Sequence, residues 1–257
     1  MKKIILSALF FGALFSLHAQ DAESIVRASR NRIKADTVST RSRMVIQAKD
    51  GSTTERLIDN YSKDGPNGAR SVIVFQQPAS VAGSRFLTME NKNAPDDRWI
   101  FMPNLGRVRR IASSEGSGSF MGTDFSFDDI SSTSRNADLD THTLLREENL
   151  GITACYVIQS VPKDSAYQYS KMVQWIAKDT SIIMKIELYD KKNTLIKTVE
   201  MSGIKTIQDR PTVTVTKMTT LAAGTSTTIT NEIVKYNDPI PEGVFTTAYL
   251  ETGKVGR

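Results

Sequence analysis

Trp99-Ile-Phe-Met-Pro-Asn-Leu-Gly-Arg-Val-Arg-Arg-Ile111 reads as a strand, a hairpin turn and a second strand. Trp99 and Phe101 alternate with Arg98 and Ile100, the period of two that sends successive side chains to opposite faces of a sheet. The turn has large apolar residues before it and Arg107, Arg109 and Arg110 after it. Shortly beyond lies Ser119-Phe-Met-Gly-Thr-Asp-Phe-Ser-Phe-Asp-Asp-Ile130. Here Phe120, Met121, Phe125, Phe127 and Ile130 are embedded among Ser, Gly and Asp, in the least strand-like part of the chain. A loop of this length inside a compact domain is usually functional or disordered, and so much apolar weight argues against disorder.

Outward from this segment the pattern is β. Strands are expected at 39–49, 53–63, 69–77, 84–91, 97–102 and 106–111, then, after the irregular stretch 112–137, at 139–149, 152–162, 169–178, 182–190, 194–207, 211–221 and 226–236. Lys49-Asp50-Gly51-Ser52 and Asp64-Gly65-Pro66-Asn67-Gly68 are hairpin signals. In 182–190, Met184, Ile186 and Leu188 are expected on one face, with Lys185 and Glu187 on the other. A helix opens this region, with Asp21 as N-cap and Ala22, Ile25, Val26, Ser29 and Ile33 at helical spacing. With no repeat, linker or composition break, residues 20–257 are expected to form a single domain. So many antiparallel strands must curl, close or stack. The apolar face of a curled sheet then needs a cover, which the opening helix and the 112–137 segment are placed to supply.

The composition is ordinary for a globular protein, with 39% hydrophobic and 24% charged residues, which excludes low-complexity classes and wholesale disorder. One Cys, Cys155, excludes a disulfide scaffold and Cys-based metal clusters, and two His are too few for a His-rich metal site. Lys2 and Lys3, the apolar run Ile4 to Leu17, and Leu17-His18-Ala19 form a secretory signal peptide with cleavage expected near Ala19. No Cys follows that site, so the chain is not expected to be a lipoprotein itself, and the mature protein is expected to be soluble in the periplasm. The formal net charge is only +5, and export removes part of it, so no nucleic-acid partner is expected.

Catalytic patterns are missing from the sequence. There is no H-E-x-x-H, no G-x-S-x-G elbow and no glycine-rich phosphate loop, and His142 reads as an ordinary strand residue. Asp96–Asp97 and Asp128–Asp129 are neighbours in sequence, which on a strand would point to opposite faces. The spacing of Asp124, Asp128 and Asp129 is not that of an EF-hand loop. No enzyme activity, metal or cofactor is therefore expected.

The pattern W-x-F-x-P-x-L-x-R-x-R-R-I followed by S-F-x-G-T-D-F-S-F-D-D resembles the central signature of the outer-membrane lipoprotein-sorting protein family, within the superfamily of the periplasmic lipoprotein carrier LolA. The opening helix, the β-rich body and the closing Pro241-Glu-Gly-Val-Phe245 also fit. The resemblance implies a mainly β (α+β) fold. This would be a strongly curved, incompletely closed antiparallel barrel with an N-terminal helix and a central loop or helix over its concave face. It also implies a job, the carriage of acyl chains between inner and outer membranes. The implied partners are an acylated lipoprotein or lipid as cargo, an inner-membrane transporter as donor and an outer-membrane acceptor, with the carrier itself a monomer.

On that reading Trp99, Phe101, Leu105, Met121, Phe125 and Phe127 are expected at the cavity or its lid, and Trp175, Met184 and Ile186 are expected to extend the wall. Arg107, Arg109 and Arg110 are expected at the rim, pairing with Asp124 and Asp128 or with a lipid phosphate. The alternative is a non-catalytic protein-interaction or envelope-sensing module on the same fold, its concavity packed. An enzyme acting on envelope lipids or glycans would require a cleft with convergent carboxylates.

Overall fold

The computed structural model describes residues 22–91, 94–131 and 135–255. The signal-peptide segment with Ala19, and the Asp21 cap, lie outside the described residues. The strands are β1 (Thr37–Gln47), β2 (Thr53–Lys63), β3 (Arg70–Gln77), β4 (Arg85–Met89), β5 (Asp97–Met102), β6 (Arg107–Arg110), β7 (Asp140–Leu150), β8 (Thr153–Pro162), β9 (Lys171–Ala177), β10 (Ile183–Tyr189), β11 (Leu195–Ser202), β12 (Lys205–Ile207), β13 (Arg210–Thr212), β14 (Val215–Thr220) and β15 (Thr225–Tyr236). Helices are few: α1 over residues 22–30, α2 (Phe127–Ser131) and α3 (Thr247–Thr252). The fold is mainly β, and thirteen of the strands belong to one antiparallel sheet whose order has two ends, β6 and β7, so that it does not close into a barrel.

The chain divides into two compact units, Met1–Arg32 with Arg135–Ile196, and Ile33–Ser134 with Lys197–Arg257. In the larger unit the strand order is β6-β5-β4-β3-β2-β1-β15-β14-β11. Its first six strands follow one another in sequence, as short turns between alternating segments dictate. Each face of this sheet has its own core. On one, here called the inner face, Met44, Ile58, Phe75, Phe86 and Ile100 cluster around Phe120. On the other, Val72, Val74, Leu87 and Phe101 pack against Val244, Phe245 and Leu250 of the C-terminal segment.

In the smaller unit the order is β10-β9-β8-β7, and α1 turns Ala22, Val26 and Ser29 inward, the four-then-three spacing of one helical face. Cys155, Val157, Val173 and Trp175 form its own cluster. Burial pushes the Cys155 thiol up from its ordinary value.

Two sequence expectations change at the level of elements. The single strands expected at 194–207 and 211–221 are each divided. The chain turns out of the sheet at Gly203, whose φ of +64° takes it into the left-handed region, and Thr214 Oγ1 donates to the Gly203 carbonyl at 2.6 Å. Residues between them form the separate hairpin β12–β13, turning through Gln208 and Asp209 at φ of 45° and 61°. A turn with two left-handed residues but no Gly or Asn gives little warning in the sequence. Second, a register shift falls between Ile183 and Lys185. Met184 therefore packs with Trp175, whose cross-strand partner is Lys185, while Ile186 stands opposite Gln174 on the other face. Met184 and Ile186 do not share a face, because one extra residue in a strand reverses its alternation.

Candidate functional site

The segment after β6 folds into a plug on the inner face of the larger unit. A bridge between Ser119 and Ser126 makes it a small hairpin. Phe120 N–H donates to the Phe125 carbonyl at 2.8 Å, and Phe127 N–H to that of Gly118 at 3.0 Å. The tip turns through Met121 and Gly122, both with positive φ, and α2 follows. The backbone polar groups of the hairpin thus bond largely to one another rather than to the sheet, which satisfies them without a ladder.

Aromatic rings seat the plug. Phe120 is fully buried, with its ring centroid 5.1 Å from Phe86, 5.9 Å from Phe75 and 5.7 Å from Phe127. Phe127 lies 5.6 Å from Phe86. Offset and edge contacts of this kind each add about 0.5–1.5 kcal/mol beyond their buried area.

Polar side chains hold its edges. The Asp124 carboxylate accepts the hydroxyls of Thr220 at 2.6 Å, Thr227 at 2.7 Å and Thr225, and Asp124 N–H donates to Thr227 Oγ1 at 3.0 Å. Lys197 Nζ donates to the Asp124 carbonyl at 2.7 Å and reaches Asp129 at 3.2 Å. Arg56 donates to the Met121 carbonyl at 2.7 Å, and burial pushes its guanidinium down from the ordinary value. Arg98 binds Asp128 at 2.6 Å and stands 3.7 Å from Asp96, whose carboxyl is pushed up by burial against the opposing pull of Arg98. Among the described residues, the buried Nε atoms of Arg56 and Arg98 have no hydrogen-bond partner. Gly116 is required by space rather than by φ, which is −55°: a Cβ there would lie 2.3 Å from the Asp128 carboxylate.

The residues expected at the site fall in several places. Met121 and Phe127 join the inner-face cluster, and Phe125 is buried on the hairpin. Trp99 and Phe101 lie on the opposite face, under the C-terminal segment. Leu105 is 50% exposed in the β5–β6 turn. Trp175 and Met184 belong to the smaller unit's cluster, and Ile186 to the other face of β10. Arg109 pairs with Glu115 and Arg110 with Asp97, while Arg107 is exposed. The plug's Asp128 is held instead by Arg98, and Asp124 by threonine hydroxyls; Arg109 also faces inward but takes Glu115, and Arg110, opposite Trp99, is on the other face. Phe120, Arg98, Lys197 and the three threonines were not among the site residues expected from the sequence. The spacing of Thr225 and Thr227, two apart on one strand, was the available signal.

In the smaller unit His142 Nδ1 lies 2.7 Å from Ser160 Oγ, and Nε2 lies 3.0 Å from the Ala137 carbonyl. Gln174 Nε2 donates to the same Ser160 oxygen at 2.7 Å. His142 is a strand residue of β7, as expected, with both ring nitrogens satisfied. With Nε2–H donating to Ala137, its Nδ1 accepts the Ser160 proton, and all three side chains are buried.

A family model described as "-like: Uncharacterized protein" matches residues 67–252. That span covers more than half of the chain, including the plug, β3 to β6 and the strands that carry Lys197 and the three threonines. The chain belongs to that family, and it shares its fold with an outer membrane lipoprotein-sorting protein domain and with a LolA superfamily protein. A Vibrio parahaemolyticus domain described as an outer membrane lipoprotein-sorting protein is 26% identical, with a TM-score of 0.86 over 91% of this chain and 99% of that one. A DUF1329 family protein from Desulfovibrio piger is 29% identical, also at 0.86 over 91% and 99%. A LolA superfamily protein from Nitrosomonas europaea shares the fold at a TM-score of 0.71, with 23% identity over 89% of this chain and 98% of that one. No curated protein sequence matches the chain.

Proposed function

We propose that this family member is a non-catalytic periplasmic carrier, which binds the acyl chains of a lipid or lipoprotein on the inner face of its larger unit and moves them between the two membranes. The observation that carries this reading is the plug. Phe120 and Phe127 cover Phe75 and Phe86 through side-chain contacts, while the hairpin backbone bonds to itself and to the side chains of Arg56, Lys197 and Thr227 rather than to the backbone of the sheet. Such a unit can leave the sheet without breaking a ladder, and acyl chains can replace its rings. The gain to the cargo is large, since each methylene withdrawn from water is worth about 0.8 kcal/mol. The expected signal peptide supports an envelope location. The fold shared with the Vibrio parahaemolyticus sorting domain supports the class of cargo. On this reading a membrane transporter hands over the cargo, an outer-membrane acceptor receives it, and the carrier acts as a monomer.

Gentle native mass spectrometry of the protein purified from its own envelope tests the proposal. A lipid or acylated peptide in near one-to-one amount is expected. A clean apo mass together with no uptake of monomeric hexadecanoate would overturn it. The packed inner face would then favour the second reading, a protein-interaction module whose plug is permanent core.

A further inference from the structure

We propose that Lys197, Thr220, Thr225 and Thr227 form a receptor for the anionic head group of the acyl ligand, a carboxylate or a phosphate, and that the Asp124 carboxylate occupies this receptor while the plug is seated. The inference rests on the carrier reading and names the class of cargo.

The receptor is built on the sheet. Lys197, Thr220 and Thr225 stand directly opposite one another on β11, β14 and β15, and Thr227 follows two residues along the same face. The β-branched side chains of the three threonines have few rotamers, so the hydroxyls stay aimed when the plug is gone. Three hydroxyls converging on one carboxylate make an anion site by chemistry: each is a donor that costs free energy if buried without an acceptor. Only the anion comes from the plug. The Lys197 side chain is 15% exposed, and its contacts at Asp124 and Asp129 are both with the plug. Unseating the plug removes both contacts, and a cargo that covers the same face shields the ammonium from water again, which is costly unless the cargo brings a counter-charge.

Charge over the whole face agrees. Among the described residues, the strand register places Arg56, Arg98, Arg107, Arg109 and Lys197 on the inner face of the larger unit and no strand carboxylate with them. Asp96 reaches Arg98 from the loop before β5. The remaining carboxylates that pair there are Glu115, Asp124, Asp128 and Asp129, and all four arrive on the segment after β6. The plug therefore carries the negative charge and the aromatic surface together, the two properties of an anionic amphiphile. A neutral cargo would supply only the second.

The test titrates the mature protein with hexadecanoate, hexadecyl phosphate and methyl hexadecanoate below their aggregation limits. In Asp124→Ala the internal competitor is gone, and at least one of the two anionic probes is expected to bind about tenfold tighter, with little change for the ester. Whichever anion gains more identifies the head group. Adding Thr225→Val and Thr227→Val should remove the gain. Lys197→Gln in the otherwise unchanged protein, which does not depend on the Asp124 variant folding, should weaken the anions alone. Equal affinity for ester and anions in every variant, or an equal gain for all three probes in Asp124→Ala, would overturn the receptor and leave the carrier reading standing. Binding of none of the three would overturn both.

Discussion

Phe120 and Phe86 meet at 5.1 Å between ring centroids, one on the plug and the other on β4. This contact joins the irregular segment to the sheet at a point where neither residue is exposed. Replacing Phe120 with Ala is expected to cost about 3–5 kcal/mol of stability, the range for a fully buried aromatic side chain. Chemical denaturation measures it. The same variant should take up an acyl probe more readily than the wild type, because its cover is loosened. A large loss of stability with no gain in uptake would mark Phe120 as core alone.

Gly116 leaves the room in which Asp128 reaches Arg98. Gly116→Ala should destabilise the protein, since the new methyl group meets a carboxylate that is pinned by an ion pair. Combined with Asp128→Ala, the penalty of the Gly116 change should largely disappear, a non-additivity that a double-mutant cycle reads directly. Additive losses would show that the close approach is relaxed elsewhere.

The Asp96 carboxyl is raised above its ordinary value of 3.8 by burial, against the pull of Arg98. The folded state therefore holds this proton more tightly than the unfolded chain does. Its contribution to stability is fully present below the unfolded value and is lost as pH rises through the folded one. Asp96→Asn should accordingly be more stable than the wild type at neutral pH, and the advantage should shrink as pH falls from the raised folded value towards about 4. Denaturation curves at several pH values check the sign; an advantage that grows in acid would contradict it.

Leu250 of α3 is fully buried in the outer-face cluster with Phe101 and Trp99. Leu250→Ala is expected to cost about 2–5 kcal/mol while leaving affinity for acyl probes unchanged in the folded protein, since this core lies on the far side of the sheet from the plug. Probe titration of the folded variant checks this. A parallel loss of binding would place the ligand on the outer face instead.

Much of the fold was legible along the chain. Local signals set the strands: β2 and β5 span 53–63 and 97–102 in the sequence reading and in the structure alike, because alternation and turn residues act over a few positions. The split of Trp99 and Phe101 from Arg98 and Ile100 followed from the pleat alone. Alternation cannot say which set faces the plug. That was decided by the C-terminal segment, which brings Val244, Phe245 and Leu250 to Trp99 and Phe101 and leaves Ile100 and Arg98 for Phe120 and Asp128.

The sequence by itself determined a β-rich chain with an apolar, acidic segment set between its strands, and the resemblance of that segment to a family of carriers. Tertiary structure alone decided the partners of that segment. Asp124 meets threonines some hundred positions away, and Lys197 meets Asp129 across 68. The physical reason is that a carboxylate carries no local mark of the donor that satisfies it. Strand order brings the donors together, and strand order is set by the packing of the whole sheet.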